Sequence, residues 1–294
     1  MEQDNCTLVF QVDSEIVKKQ RKQSNYLIEF NQENAENVCA IYFGSNDIYF
    51  PNTETSFKYS IIEANRYEWV YQKISGVKKH IFLRDIYKQW YLAGINDEIN
   101  TPEKLFDWLR IETDGYKIIT VGSSAGGYAA ILYGVLLNAD KVYAFNPQLE
   151  LNSLLGTSEK INPLIYRFQN SELRKYYDLL PIVGKSKNHN IFYFVSIDSP
   201  CDKTQYQHLN ENADNGILKT IRFKSSHHGI PFPKIVLKKV LNSKKQDLLN
   251  DTCRVHNPII YSINKVGLYT TIIGLTKQIT ALFTKKYMQF KHKR

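Results

Sequence analysis

Three stretches of the chain carry side chains that could act on one another. Gly122-Ser123-Ser124-Ala125-Gly126 sets a serine between two glycines in a Gly-x-Ser-x-Gly pattern. Asp198 stands directly after the apolar run 190–197, and His227-His228-Gly229 follows the run 217–223. A serine hydroxyl is a weak nucleophile at its free pKa. An imidazole within hydrogen-bond reach removes its proton and later returns one to the leaving group. A buried aspartate fixes the tautomer of that imidazole and stabilises the imidazolium. Serine, acid, histidine is one of the chain orders in which such acyl-transfer triads occur. Ser124, Asp198 and His228 are the preferred residues. Asp202 stays open as the acid and His227 as the base; Gly229 favours His228 because it lets the backbone turn sharply beside it.

These residues work only if the surrounding elements bring them together. Tyr116 to Val121 is a short apolar run of the kind that makes a buried strand, and Ala129 to Leu137 is a good helix sequence. Strand, tight turn, serine, helix is the context in which Gly-x-Ser-x-Gly presents a nucleophile. The competing reading, a phosphate-cradling loop, lacks the Gly-Lys-Ser/Thr ending and the Gly-x-Gly-x-x-Gly spacing. A tetrahedral oxyanion needs backbone donors, each worth about 3 kcal/mol. Ala125, next to the serine, is one; Gly44 and Ser45, after the apolar run 38–43, are the expected source of the other.

The rest of the chain alternates strands and helices, the rhythm of a parallel α/β sheet. Strands are expected at 8–12 and 26–30, separated by a charged turn at 18–22, and then at 38–43, 79–83, 141–145, 190–197 and 217–223. Arg84 and Asp85 read as a structural pair closing a strand end. Thr101-Pro102 is a cap followed by a first-turn proline, with Leu105, Phe106 and Leu109 on the buried face of the helix that follows. A closing helix spans 234–241. Residues from about 151 to 181 break the rhythm; they are mostly helical and read as a cap over the strand ends, or as a long crossover. The α/β domain is expected over 1–254, and 255–294 is an amphipathic, basic extension.

Composition narrows the partners. Of 294 residues 43% are hydrophobic, enough for one sizeable core. Four scattered cysteines suggest neither a disulfide framework nor a zinc site, so a reducing, cytoplasmic setting is the expectation. The polar start Met1-Glu2-Gln3-Asp4-Asn5 does not read as a signal peptide. No run of about 18 apolar residues is present. The net charge of +9 reads mainly as a solvated lysine-rich surface, and no nucleic-acid-binding pattern interleaves it with aromatics. Lys285, Lys286, Lys291, Lys293 and Arg294 crowd the C-terminal tip. That end could lie on anionic lipid at the inner membrane, or the helix before it could pack on the same domain or on a partner subunit. The oligomeric state stays open.

Gly122-Ser123-Ser124-Ala125-Gly126-Gly127, Phe145-Asn146-Pro147-Gln148, Asp198 and His228-Gly229 together resemble the α/β-hydrolase superfamily, over about residues 38–241. Gly-Ser-Ser-x-Gly-Gly and Pro-Gln resemble, more narrowly, the hydrolase-fold O-acetyltransferases and esterases encoded with bacterial capsule polysaccharides. The resemblance implies a mostly parallel sheet flanked by helices, and acyl chemistry on a glycan or acyl-ester substrate through an acyl-enzyme. Acetyl-CoA would be the acyl donor of a transferase, with no metal and no permanently bound cofactor. Hydrolase and transferase differ in whether water or a sugar hydroxyl attacks the acyl-enzyme. An alternative keeps the fold as a non-catalytic scaffold in a polysaccharide assembly at the membrane.

Overall fold

The computed structural model describes residues 8–31, 35–186, 190–212, 216 and 218–291, with backbone only for 212 and 281–291. Cys6, His189, Ile217, His292, Lys293 and Arg294 lie outside the described residues. Eight strands form one sheet: β1 (Tyr26–Phe30), β2 (Glu36–Phe43), β3 (Val77–Leu83), β4 (Lys117–Ser123), β5 (Lys141–Phe145), β6 (Ile191–Ser196), β7 (Leu218–Phe223) and β8 (Val255–His256). Their order is β1-β3-β2-β4-β5-β6-β7-β8. Only β1 runs antiparallel, against β3; all other pairs are parallel. The chain passes from β2 outward to β3 and then back across to β4. The edge beyond the ends of β2 and β4 is therefore a topological switch point, where open sheets of this kind bind ligands.

Both faces of the sheet are covered, so successive strand residues feed different cores. Cys39, Ile41 and Phe43 of β2 pack with the helix Ala125–Leu136, while Val38, Ala40 and Tyr42 pack with Phe145, Phe194, Phe223, Phe232 and Leu237. The helix Pro102–Glu112 starts as its sequence dictates: Thr101 Oγ1 accepts from Lys104 N–H at 3.2 Å and proline takes the first turn. Leu105 and Leu109 are buried beneath it.

Three sequence expectations change. Residues 8–12 form no strand; Phe10–Asp13 is a single helical turn, and Glu15–Arg21 is a helix that takes in most of the expected turn. The cause is tertiary. Val9 and Val12 are buried three residues apart, and Asp13 is held by Arg167 at 2.8–2.9 Å. That guanidinium keeps the Asp13 carboxyl below the usual carboxylate range. At the other end, Val255 and His256 pair with Arg222 and Phe223, so a boundary at 254/255 would cut the sheet. Between β5 and β6 the chain makes the short helical turns Asn152–Gly156, Pro163–Phe168 and Glu172–Tyr176. Leu164, Ile165, Tyr177 and Leu179 are buried there. Tyr128 Oη donates to Tyr176 O at 2.6 Å, and Leu164 N–H donates to Gln89 Oε1 at 3.1 Å. The segment is thus tied both to the central helix and to the loop after β3.

The central helix lies hard against the sheet. A Cβ on Gly126 would lie 2.2 Å from the O of Phe43, the last residue of β2, and 2.9 Å from Gly44 O, both of them backbone atoms. Gly126→Ala is expected to lose about 2 kcal/mol or more of stability, by overpacking against rigid backbone. Gly156→Ala, where nothing lies within 4 Å, should leave the urea midpoint unchanged.

Candidate active site

The Ser124 turn is built by its neighbours. Gly122, near the end of β4, lies so close to the helix start that a Cβ there would lie 1.9 Å from Gly126 O, and a Cβ on Gly127 would lie 3.0 Å from Pro147 Cβ. With strand and helix pressed together, one residue must reverse the chain. Ser124 does so at φ 55° and ψ −123°, a conformation that side-chain-bearing residues seldom adopt. Ser124 N–H donates to Phe145 O at 2.9 Å, and Ser124 O accepts from Tyr128 N–H at 3.0 Å. The hydroxyl is left at the tip, before the first helical residue.

His228 meets it there. Nε2 lies 2.8 Å from Ser124 Oγ, and Nδ1 lies 2.8 Å from Asp202 Oδ1. With Nδ1–H donating to the carboxylate, Nε2 is left with a lone pair to accept the serine proton. The His228 side chain is 41% exposed, whereas that of Asp202 is 1% exposed. Among the described residues Oδ2 of Asp202 has no hydrogen-bond partner, so the imidazole is the carboxylate's one contact of this kind.

The carboxylate that reaches His228 is therefore Asp202, and the expectation of Asp198 is corrected. Asp198 directly follows β6, but it sits in an exposed turn where its backbone N–H donates to Ser225 O at 3.1 Å. The helix Pro200–Asn212 starts two residues later, and its first turn aims Asp202 back over the end of the sheet. His227 is exposed and makes no hydrogen bond to Ser124 among the described residues. Desolvation and the adjoining His228 lower its pKa, which favours the neutral imidazole.

What holds the histidine loop was missed in the sequence. Asn146, fully buried at the end of β5 with φ 42°, donates through Nδ2 to Gly229 O at 2.8 Å and to His227 O at 3.3 Å. Its Oδ1 accepts from Ser196 N–H at 2.7 Å, and Ser196 Oγ donates to His227 O at 2.7 Å. One amide thus grips the backbone on both sides of His228. Gly229, at φ +102°, supplies the turn that makes both carbonyls reachable. The only sequence signal was the position of Asn146, directly after a strand.

The expected oxyanion donors divide. Ala125 N–H has no hydrogen bond among the described residues. Gly44 and Ser45 are occupied. Gly44 N–H continues the sheet to Leu83 O at 2.9 Å, and Ser45 gives its N–H and its hydroxyl to the two oxygens of Glu68, at 2.8 and 3.0 Å. Glu68 pins the loop after β2, and the next amide, that of Asn46, has no hydrogen bond among the described residues. No group of three or more His, Cys, Asp or Glu suited to a metal ion occurs among those residues.

No protein-family model matches this sequence, and no curated protein matches it either. Solved structures do resemble it. The capsule O-acetyltransferase of Neisseria meningitidis serogroup A is 16% identical with a TM-score of 0.47, over 67% of this chain and 82% of that one. A protein of unknown function from Staphylococcus aureus is 14% identical, TM-score 0.44, over 76% and 93%. Acetyl xylan esterase 1 from Thermoanaerobacterium is 12% identical, TM-score 0.39, over 66% and 70%. The mostly parallel sheet with its switch point, and the strand-turn-helix about Ser124, make the architecture an α/β-hydrolase fold.

Proposed function

We propose that the chain is a serine acyl-transfer enzyme, an O-acetyltransferase or acyl esterase, acting on a bacterial surface polysaccharide. The observation that carries this reading is the pair of 2.8 Å contacts linking Ser124, His228 and Asp202. Ser124 Oγ attacks the acyl carbonyl while its proton passes to His228 Nε2. The imidazolium formed is stabilised by Asp202, whose burial keeps water from competing for the contact. The developing oxyanion takes the amide of Ala125, at the start of the helix beside the serine. His228 then protonates the leaving group, the thiolate of CoA or an alkoxide, and the acyl-enzyme remains. Water or a sugar hydroxyl gives its proton to His228 and attacks in turn. The glycan acceptor and acetyl-CoA donor rest on the likeness of the Gly122–Gly127 and Pro147-Gln148 motifs to those of capsule O-acetyltransferases.

Mass spectrometry tests the first half-reaction. Incubation with acetyl-CoA, and separately with a simple acetyl ester, is expected to acetylate the peptide carrying Ser124. Capture from acetyl-CoA with slow hydrolysis marks a transferase; rapid turnover of the ester marks an esterase. Ser124→Ala should show no adduct with either donor. If folded wild type forms no adduct and a fluorophosphonate leaves it unlabelled, the scaffold reading replaces the catalytic one.

The corrected acid gives a sharper comparison. Asp202→Asn is expected to slow fluorophosphonate labelling by roughly 10⁴ through the wrong imidazole tautomer. Asp198→Asn, in an exposed turn, should stay within about twofold of wild type. Asn146→Asp removes both donors and faces a carboxylate towards two carbonyl oxygens. A loss of about 100-fold in the labelling rate is expected as His228 is displaced. Ser196→Ala, which spares the Asn146–Gly229 contact, should lose less.

A further inference from the structure

We infer that the two C-terminal helices form a docking surface for an anionic lipid bilayer, lying along it rather than crossing it. Helices Pro258–Val266 and Leu268–Lys291 meet at Gly267, whose φ of +83° makes the corner, and Ser262 and Thr271 join them at 2.9 Å. One face of the second helix is already used. Thr271 is buried, and Gly274 packs so closely that a Cβ would lie 2.6 Å from Ile235 Cβ. The other face is apolar and uncovered. Leu268, Ile272 and Ile279 lie four and eleven residues apart, so they share one stripe of an α-helix. They are 59%, 53% and 53% exposed, with Tyr269 at 78% beside them and Ile260 exposed on the preceding helix. A folded chain leaves such a stripe open to solvent when something else covers it.

Charge selects the occupant. Residues 255–294 contain seven Lys and Arg and not one Asp or Glu. A second copy of this chain would bring like charges together, whereas an anionic headgroup layer neutralises them while the stripe enters the acyl boundary. No described helix is long and apolar enough to cross a membrane, which leaves the interfacial orientation.

Flotation of the full chain with vesicles tests this. The protein should rise with phosphatidylglycerol-rich vesicles, bind phosphatidylcholine vesicles at least tenfold less, and be released from the former by high salt. Ile272→Glu/Ile279→Glu should lose at least tenfold in bound fraction, with the circular dichroism spectrum and Ser124 probe labelling unchanged. Ile260→Glu is the second variant, on the other helix, should the first fail to fold. The inference is overturned if wild type does not float with phosphatidylglycerol vesicles, or if folded variants float equally well. It is also overturned if the same substitutions instead dissolve a dimer seen by light scattering while leaving vesicle binding untouched.

Discussion

The site depends on backbone lying directly on backbone. The central helix enters the sheet so closely that Gly122 and Gly126 are almost in contact, and Gly126 rests on the last carbonyls of β2. Nothing bulkier than hydrogen fits at either position. The constraint leaves Ser124 to absorb the whole reversal, in a conformation costing of order 1–3 kcal/mol. Burial of the helix along its first ten residues offsets that cost, and so does the saturation of the turn's own amide and carbonyl. A strained residue so held cannot relax, and its hydroxyl stays at the tip of the turn, towards His228.

That direction matters because the other two groups arrive on different kinds of element. Asp202 sits on a helix packed beside β6, and its position is set by a regular element. His228 sits on a loop, which on its own would be the least certain part of the arrangement. The Asn146 amide removes that freedom by tying His227 and Gly229 to the ends of β5 and β6. All of these contacts come from strand ends on one edge of the sheet. A histidine on a loop is thereby positioned almost as firmly as if it lay in the sheet. The loop after β2 is treated similarly. Glu68 takes both donors of Ser45, which fixes that loop, and the Asn46 amide beside it has no hydrogen bond among the described residues.

Much of this was legible in the sequence, and the exceptions have a common form. Strands such as Lys141–Phe145 and Ile191–Ser196 are short apolar runs with no competing pattern, and Thr101-Pro102 marks its helix by local chemistry alone. Ser124 was visible because the glycine spacing records the steric problem it solves. The acid is not legible in the same way, because a strand end is easy to read, whereas the aim of a side chain from the first turn of the next helix is not. Asp198 and Asp202 differ by one turn of chain and by the whole of their burial. The same holds for Gly44 and Ser45. Their flexibility was legible, but the use of their amides by Leu83 and Glu68 depends on partners distant in sequence. Residues 8–12 look like a strand in isolation and become helical because Arg167 waits for Asp13. Two-residue β8 has no pattern to read; it exists because β7 has an open edge.

The C-terminal segment is therefore no appendage. Lys224 N–H donates to His256 O at 2.9 Å, one residue before the loop that carries His228 begins. Tyr261, in the first C-terminal helix, packs edge-on to Phe223 with ring centres 5.0 Å apart, and against Phe232 at 5.5 Å. Those two aromatics flank the histidine loop on its two sides in sequence. The strand before the loop and the residues after it are thus buttressed by the same segment whose second helix exposes Leu268, Ile272 and Ile279. The backbone on either side of the histidine loop therefore rests on the C-terminal segment as well as on the sheet. The Ser124 turn is set by the packing of the central helix on the sheet, so of the two groups it is the histidine whose flanking residues the C-terminal segment contacts.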